Sequence, residues 1–126
     1  MSPLPEARDA LFKVFARGLF RRDMDLLYTA ATEDFLWSWH DGLLATKALR
    51  GGAAILAHLD EQKSLFSEQA FHEVAYHHLP DTSFMTSRVS ETLRATGARR
   101  EQQGIERYTF RDGKIAAKDV YRKPVA

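Results

Sequence analysis

The chain has 126 residues, no cysteine, 28% charged and 44% hydrophobic residues, the composition of one domain long enough to bury a core without staples. The lack of thiols excludes a disulfide framework, a thiolate zinc site and a cysteine nucleophile. The apolar runs are too short to span a bilayer, and the opening Met-Ser-Pro-Leu-Pro-Glu-Ala-Arg lacks the pattern of a secretory leader. Lys and Arg number 18 against 17 Asp and Glu, unevenly spread: +1 over residues 1–25, −5 over 26–93 and +5 over 94–126. The basic final third carries no nucleic-acid motif and reads as the wet face of a sheet folded against the acidic middle. The expectation is a cytoplasmic protein with neither nucleic-acid nor membrane partners.

Glu6 to Arg22 reads as a first helix, with Ala7, Ala10, Leu11, Val14, Phe15, Gly18 and Leu19 as its buried stripe. Asp23 is a natural N-cap for a short second helix carrying Met24, Leu27 and Ala30 or Ala31. From Phe35 the period changes to two, so Phe35, Trp37 and Trp39 face one way and Leu36, Ser38 and His40 the other. Asp41-Gly42 closes that strand and a loop follows. Gly51-Gly52 opens a third helix through Ala54, Ile55 and Leu59, extending to Phe66.

The second half reads as four strands, near Glu68–Leu79, Ser83–Ala95, Arg100–Arg111 and Lys114–Lys123. Pro80-Asp81, Thr96-Gly97 and Asp112-Gly113 mark the reversals; Asp-Gly supplies the positive φ that a two-residue hairpin requires. Helices followed by an antiparallel meander imply an α+β domain with the helices on one face of the sheet.

Three strings carry a family resemblance. Phe20 to Leu27 resembles the junction of helices one and two in the NTF2-like superfamily, which includes SnoaL-like polyketide cyclases and ketosteroid isomerases. Leu49 to Ile55 is similar to the start of that family's third helix, and Ile105 to Ile115 to its closing hairpin. The resemblance runs from about Arg8 to Arg122. It implies a single domain over residues 1–126, a cystatin-like cone of about three helices on a strongly curved, mostly antiparallel sheet. It also implies a pocket for a small apolar or aromatic molecule, and homodimers formed through the open sheet face, where Ile105 and Val120 sit among charges.

Carried over residue by residue, the catalytic pattern of the ketosteroid isomerases is incomplete. Phe15 takes the place of their helix-one Tyr, and Trp39 falls near their carboxylate base, with His40 and Asp41 just beyond. Only the strand acid has a counterpart, Glu106. The cyclase pattern, a His-Trp pair and a following Asp, is replaced by Lys118-Asp119-Val120-Tyr121-Arg122-Lys123, with Asp119 in a different register.

Alternation in a strand places Glu106 with Tyr108 and Phe110 on one face and Arg107, Thr109 and Arg111 on the other. A carboxylate among aromatics is costly unless paired, so Glu106 is either a pocket acid–base or a structural Glu salt-bridged to an Arg. Of the five histidines, His77 and His78 face opposite ways, while His72 and His78 share a face but stand about 20 Å apart, so none makes a chelating pair. If Glu106 carries the proton, its expected partner is His58 on the third helix, or else His40 at the end of the aromatic strand. Arg88 and Glu91 fall on opposite faces of one strand. Phe15, Trp37, Trp39, Tyr108 and Phe110 are the expected ligand-binding wall. No metal motif is present and no cofactor is implied. Two functions fit: cofactor-free acid–base chemistry of the isomerase, dehydratase or cyclase type, or a non-catalytic ligand-binding or dimerisation module with a degenerate site.

Overall fold

The computed structural model describes residues 2–40 and 46–125. Helix α1 (Pro5–Arg21) begins with Pro in its first turn, where an N–H has no helical partner to lose. It ends at Arg22, whose left-handed backbone (φ 57°) lets the N–H groups of Arg22 and Asp23 reach the carbonyls of Leu19 and Gly18. Asp23 caps α2 (Met24–Ala30) as expected, its side chain accepting from the Leu26 N–H at 3.0 Å. The two helices touch at Gly18, where any Cβ would lie 2.8 Å from the Leu27 backbone.

Strand β1 (Ala31–His40) leaves α2 directly, four residues before the aromatic alternation announces it. The segment expected as a loop contains a strand, β2 (Thr46–Arg50), paired antiparallel with β1; the Asp41-Gly42 reversal lies outside the described residues. Helix α3 (Gly52–Leu65) follows, then β3 (Phe66–His78), β4 (Thr82–Leu93), β5 (Arg99–Arg111) and β6 (Lys114–Pro124). Phe66 thus opens a strand instead of closing a helix. At Asp112-Gly113 both residues have positive φ (53° and 75°), the geometry expected of this hairpin.

The six strands form one sheet in the order β2-β1-β6-β5-β4-β3. β1 and β6 run parallel, and the other pairings are antiparallel. A bulge at Glu73 (φ 55°) shifts the β3–β4 register between His72 and Ala75. The helices cover one face, with Phe12, Phe15, Leu27, Phe35, Ile55, Met85, Tyr108, Ile115 and Val120 in a single core. Each large side chain so buried contributes roughly 1.5–3 kcal/mol.

The buried stripe of α1 is rotated from the expected one. Ala7 and Ala10 are exposed, while Arg8, Phe12, Phe15 and Gly18 are buried. The cause is Arg8, only 2% exposed. Its guanidinium donates to the carbonyls of Pro3 (2.7 Å), Leu79 (2.5 Å), Thr82 (3.2 Å) and Pro80 (2.5 Å), and to Ser83 Oγ (3.2 Å). Arg8 therefore pins α1 to the β3–β4 turn, and its charge lies over the Phe110 ring at 4.8 Å.

Candidate functional site

β5 alternates strictly: Gln102, Gly104, Glu106 and Tyr108 are buried, and Gln103, Ile105 and Arg107 are exposed. Glu106 and Tyr108 thus point under the helices, as their spacing predicts. Cross-strand register then sets their neighbours. Tyr108 pairs with Lys118 of β6, and Lys118 pairs with Trp37 of β1. The Tyr108 hydroxyl donates to Glu106 Oε1, and Lys118 Nζ stands 3.6 Å from the same oxygen. Nζ also lies 4.2 Å above the Trp37 ring and 5.4 Å from that of Phe15, both cation–π contacts.

All three polar residues are nearly sealed: Glu106 is 6%, Lys118 7% and Tyr108 3% exposed. Burial, then the Glu106 charge, raises the Tyr108 pKa well above the ordinary phenol, so it remains a donor. Burial lowers that of Lys118, outweighing the attraction of Glu106 that opposes it. The cluster forms one end of a cavity of about 270 Å³ whose other walls include Phe12, Phe15, Leu19, Phe71, Tyr76 and Met85. An acceptor, a protonated donor and an amine thus meet beside an aromatic space.

A second cavity, about 350 Å³, opens between α3 and the other end of the sheet, with His58, Trp39, Glu91, Arg100, Gln102 and Arg122 among its walls. Its charges are tied to one another. Glu91, 1% exposed, accepts from Arg100 Nε (2.9 Å), Arg122 Nη1 (3.3 Å) and Gln69 Nε2 (2.6 Å). Arg122 also lies 4.3 Å over Trp39. His58 packs against Trp37 and Trp39 with centroids 5.0 and 5.6 Å away, and its buried Nδ1 has no hydrogen-bond partner among the described residues. Burial, reinforced by the Lys47 charge, depresses its pKa to about 4. His58 is therefore neutral at physiological pH.

The structure separates residues that the sequence reading grouped. Glu106 and His58 line different cavities. His40 lies on the opposite face of the sheet from Glu106, stacked on the half-exposed Tyr121 at 4.9 Å, because it alternates with inward Trp39. Phe15 and Tyr108 line the Glu106 cavity and Trp39 lines the other; Trp37 lies beneath Lys118, and Phe110 beneath Arg8. The partner of Glu106 is a lysine, Lys118, and not the arginine of the structural alternative.

Two further expectations fail on side-chain parity. Val120 is 1% exposed and belongs to the core, whereas Ile105 is 45% exposed. His72 pairs with outward Arg88, while His78 pairs with buried Ser83 and meets its hydroxyl at 2.7 Å, because the Glu73 bulge switches the faces between them. Arg88 and Glu91 do face opposite ways, Arg88 outward to Glu101 at 3.1 Å. The basic final third is not wholly a wet face. Lys118 and Arg122 turn inward on either side of Val120, and that alternation was the signal available for them.

Three helices against one face of a six-stranded, mostly antiparallel sheet, with a polar cluster among inward aromatics, define the NTF2-like α+β class. Within it, the chain belongs to the SnoaL-like domain family, whose model matches residues 10–118. No curated protein sequence matches it. An NTF2-like protein from Burkholderia xenovorans has a similar structure (TM-score 0.80, 18% identity, 94% of this chain and 90% of that one). So has TerC, crystallised with polyporic acid (TM-score 0.69, 18% identity, 90% and 89%). A phenazine biosynthesis-related protein from Pseudomonas aeruginosa is also similar (TM-score 0.66, 12% identity, 94% and 84%). These likenesses establish the fold.

Proposed function

We propose that this protein takes up a small apolar or aromatic molecule in the cavity under α1, and that Glu106 moves a proton on it without a cofactor. The observation that carries this reading is the buried carboxylate itself. Glu106 sits at the edge of an aromatic space of about 270 Å³, held by Tyr108 and Lys118. A carboxylate fixed there is costly to the fold, and it is placed to take a proton from carbon next to a polarised group. The protonated Tyr108 supplies a hydrogen bond to one oxygen, leaving the other for substrate. Reactions of this kind include isomerisation, dehydration and cyclisation. TerC, crystallised with polyporic acid, is a precedent for a small organic molecule with this fold.

The test uses 2-tetralone, an aromatic ketone with acidic C–H bonds. Purified protein in D2O should accelerate deuterium uptake at its α-carbon, and Glu106→Gln should abolish the acceleration while 2-naphthol still quenches tryptophan fluorescence. No quenching and no exchange would refute the proposal. The second reading, a binding module without chemistry, is favoured by the pairing of Glu106 with its own neighbours; it predicts quenching without exchange. A homodimer formed through the outer sheet face is part of the proposal, supported by exposed Ile105 and Tyr121, paired on adjacent strands. So is a cytoplasmic location, supported by a sequence without cysteine.

A further inference from the structure

Lys118 presents its amine to an aromatic cavity, a setting that sets it apart from the other lysines. Lys13, Lys63, Lys114 and Lys123 are exposed, and Lys47 pairs with Glu61 at 2.9 Å. Lys118 is 7% exposed, borders the cavity under α1 and rests its amine on Trp37 and Phe15. Its carboxylate neighbour Glu106 stands at 3.6 Å, longer than a tight ion pair. That carboxylate has a second donor in Tyr108, so it is not left bare when the amine engages elsewhere.

We propose that Lys118 is a nucleophile that condenses with the aldehyde or ketone carbonyl of an apolar, aromatic-sized molecule to form a Schiff base. The proposal rests on the reading that the cavity takes up such a molecule, and it adds the carbonyl as the group recognised. Amine chemistry at neutral pH requires an unprotonated nitrogen, and the burial that lowers the Lys118 pKa favours it. The step needs no oxidant or cofactor. The nitrogen lone pair forms a bond to the carbonyl carbon, and the C=O π pair moves to oxygen, which takes a proton from solvent. Glu106 accepts the proton that nitrogen loses. The hydroxyl, protonated in turn by Glu106, departs as water as C=N forms. The protonated imine withdraws electrons from the adjacent carbon, making its C–H a better acid for the same carboxylate. One amine and one carboxylate thereby share a single proton-transfer cycle.

The experiment uses benzaldehyde, which has no α-hydrogen, with sodium cyanoborohydride to reduce and trap any imine at pH 7. Wild-type protein should acquire one benzyl group, mapped by peptide mass spectrometry to Lys118 and formed roughly tenfold or more faster than at the exposed lysines. Lys118→Arg should lose that site while surface labelling is unchanged, and Glu106→Gln should slow it. Equal labelling at Lys118 and the exposed lysines, or none at Lys118, overturns the proposal on wild-type protein alone, whatever the variants do. Quenching by 2-naphthol, measured in parallel, separates the two failures. Binding without a Lys118 adduct rejects the nucleophile and keeps the cavity; absence of both rejects both.

Discussion

His58 gives the fold a defined sensitivity to acid. Its ring is 4% exposed, wedged against Trp37 and Trp39, and its pKa is depressed from an ordinary 6.5 to about 4. Lys47, Lys118 and Arg122 oppose its protonation and Glu61 favours it, but burial is the largest cause. The unfolded chain therefore binds a proton at this position between about pH 6.5 and pH 4, and the folded chain does not. Stability is complete above the upper value and falls as pH drops through that window. From pH 7.5 to pH 5 the loss from this group is about 2 kcal/mol. His58→Phe keeps an aromatic ring against the two tryptophans and removes the titration. Urea midpoints for both proteins at pH 7.5, 6 and 5 isolate the effect, because other titrating groups are common to both. The variant should gain about 2 kcal/mol relative to wild type over that range. A constant difference at all three pH values would refute the assignment of His58 as buried and neutral.

Arg8→Met should destabilise by about 3 kcal/mol, visible as a fall in thermal midpoint of roughly 10 °C, because the carbonyls of Leu79, Pro80 and Thr82 lose a charged donor. Gly18→Ala should cost about 1–3 kcal/mol in a denaturant titration despite the better helix propensity of alanine, since its Cβ would meet the Leu27 backbone at 2.8 Å. Sedimentation at micromolar concentration should show a dimer; a clean 14.4 kDa species would count against pairing through the outer face. The protein should not isomerise a β,γ-unsaturated ketosteroid, because Phe15 offers no hydroxyl to the developing dienolate; turnover of such a substrate would contradict this.

Much of the architecture is legible in the pattern of apolar residues. The 3.6 period of α1, the Phe35-Trp37-Trp39 alternation and the Asp112-Gly113 turn each specify their element locally. β2 does not: Thr46–Arg50 is short and carries Lys47, Ala48 and Arg50, so its strand character comes from pairing with β1. The orientation of Glu106 was readable because Tyr108 sits two residues on. Lys118 and Arg122 share the alternation of Val120, but a charged residue in a strand is taken as wet until its long-range partners are known, here Glu106 and Glu91 with the rings of Trp37 and Trp39. The Glu73 bulge carries neither Gly nor Pro, so nothing local announces the change of face that divides His72 from His78.

The position of β6 has a consequence for how the molecule assembles. In chain order it is the last of the six strands, yet in the sheet it lies between β1 and β5. Without it, β2-β1 and β5-β4-β3 would be separate half-sheets, each presenting an open edge where β6 pairs. The strand joins an early segment to a late one and places Lys118 and Arg122 inside, beside Glu106 and Glu91. Completion of the sheet and placement of the amine beside Glu106 therefore depend on the same strand. A chain cut after Gly113 would retain every helix and all the acidic partners but have neither a continuous sheet nor the amine, and it should emerge from synthesis as an aggregation-prone pair of half-sheets.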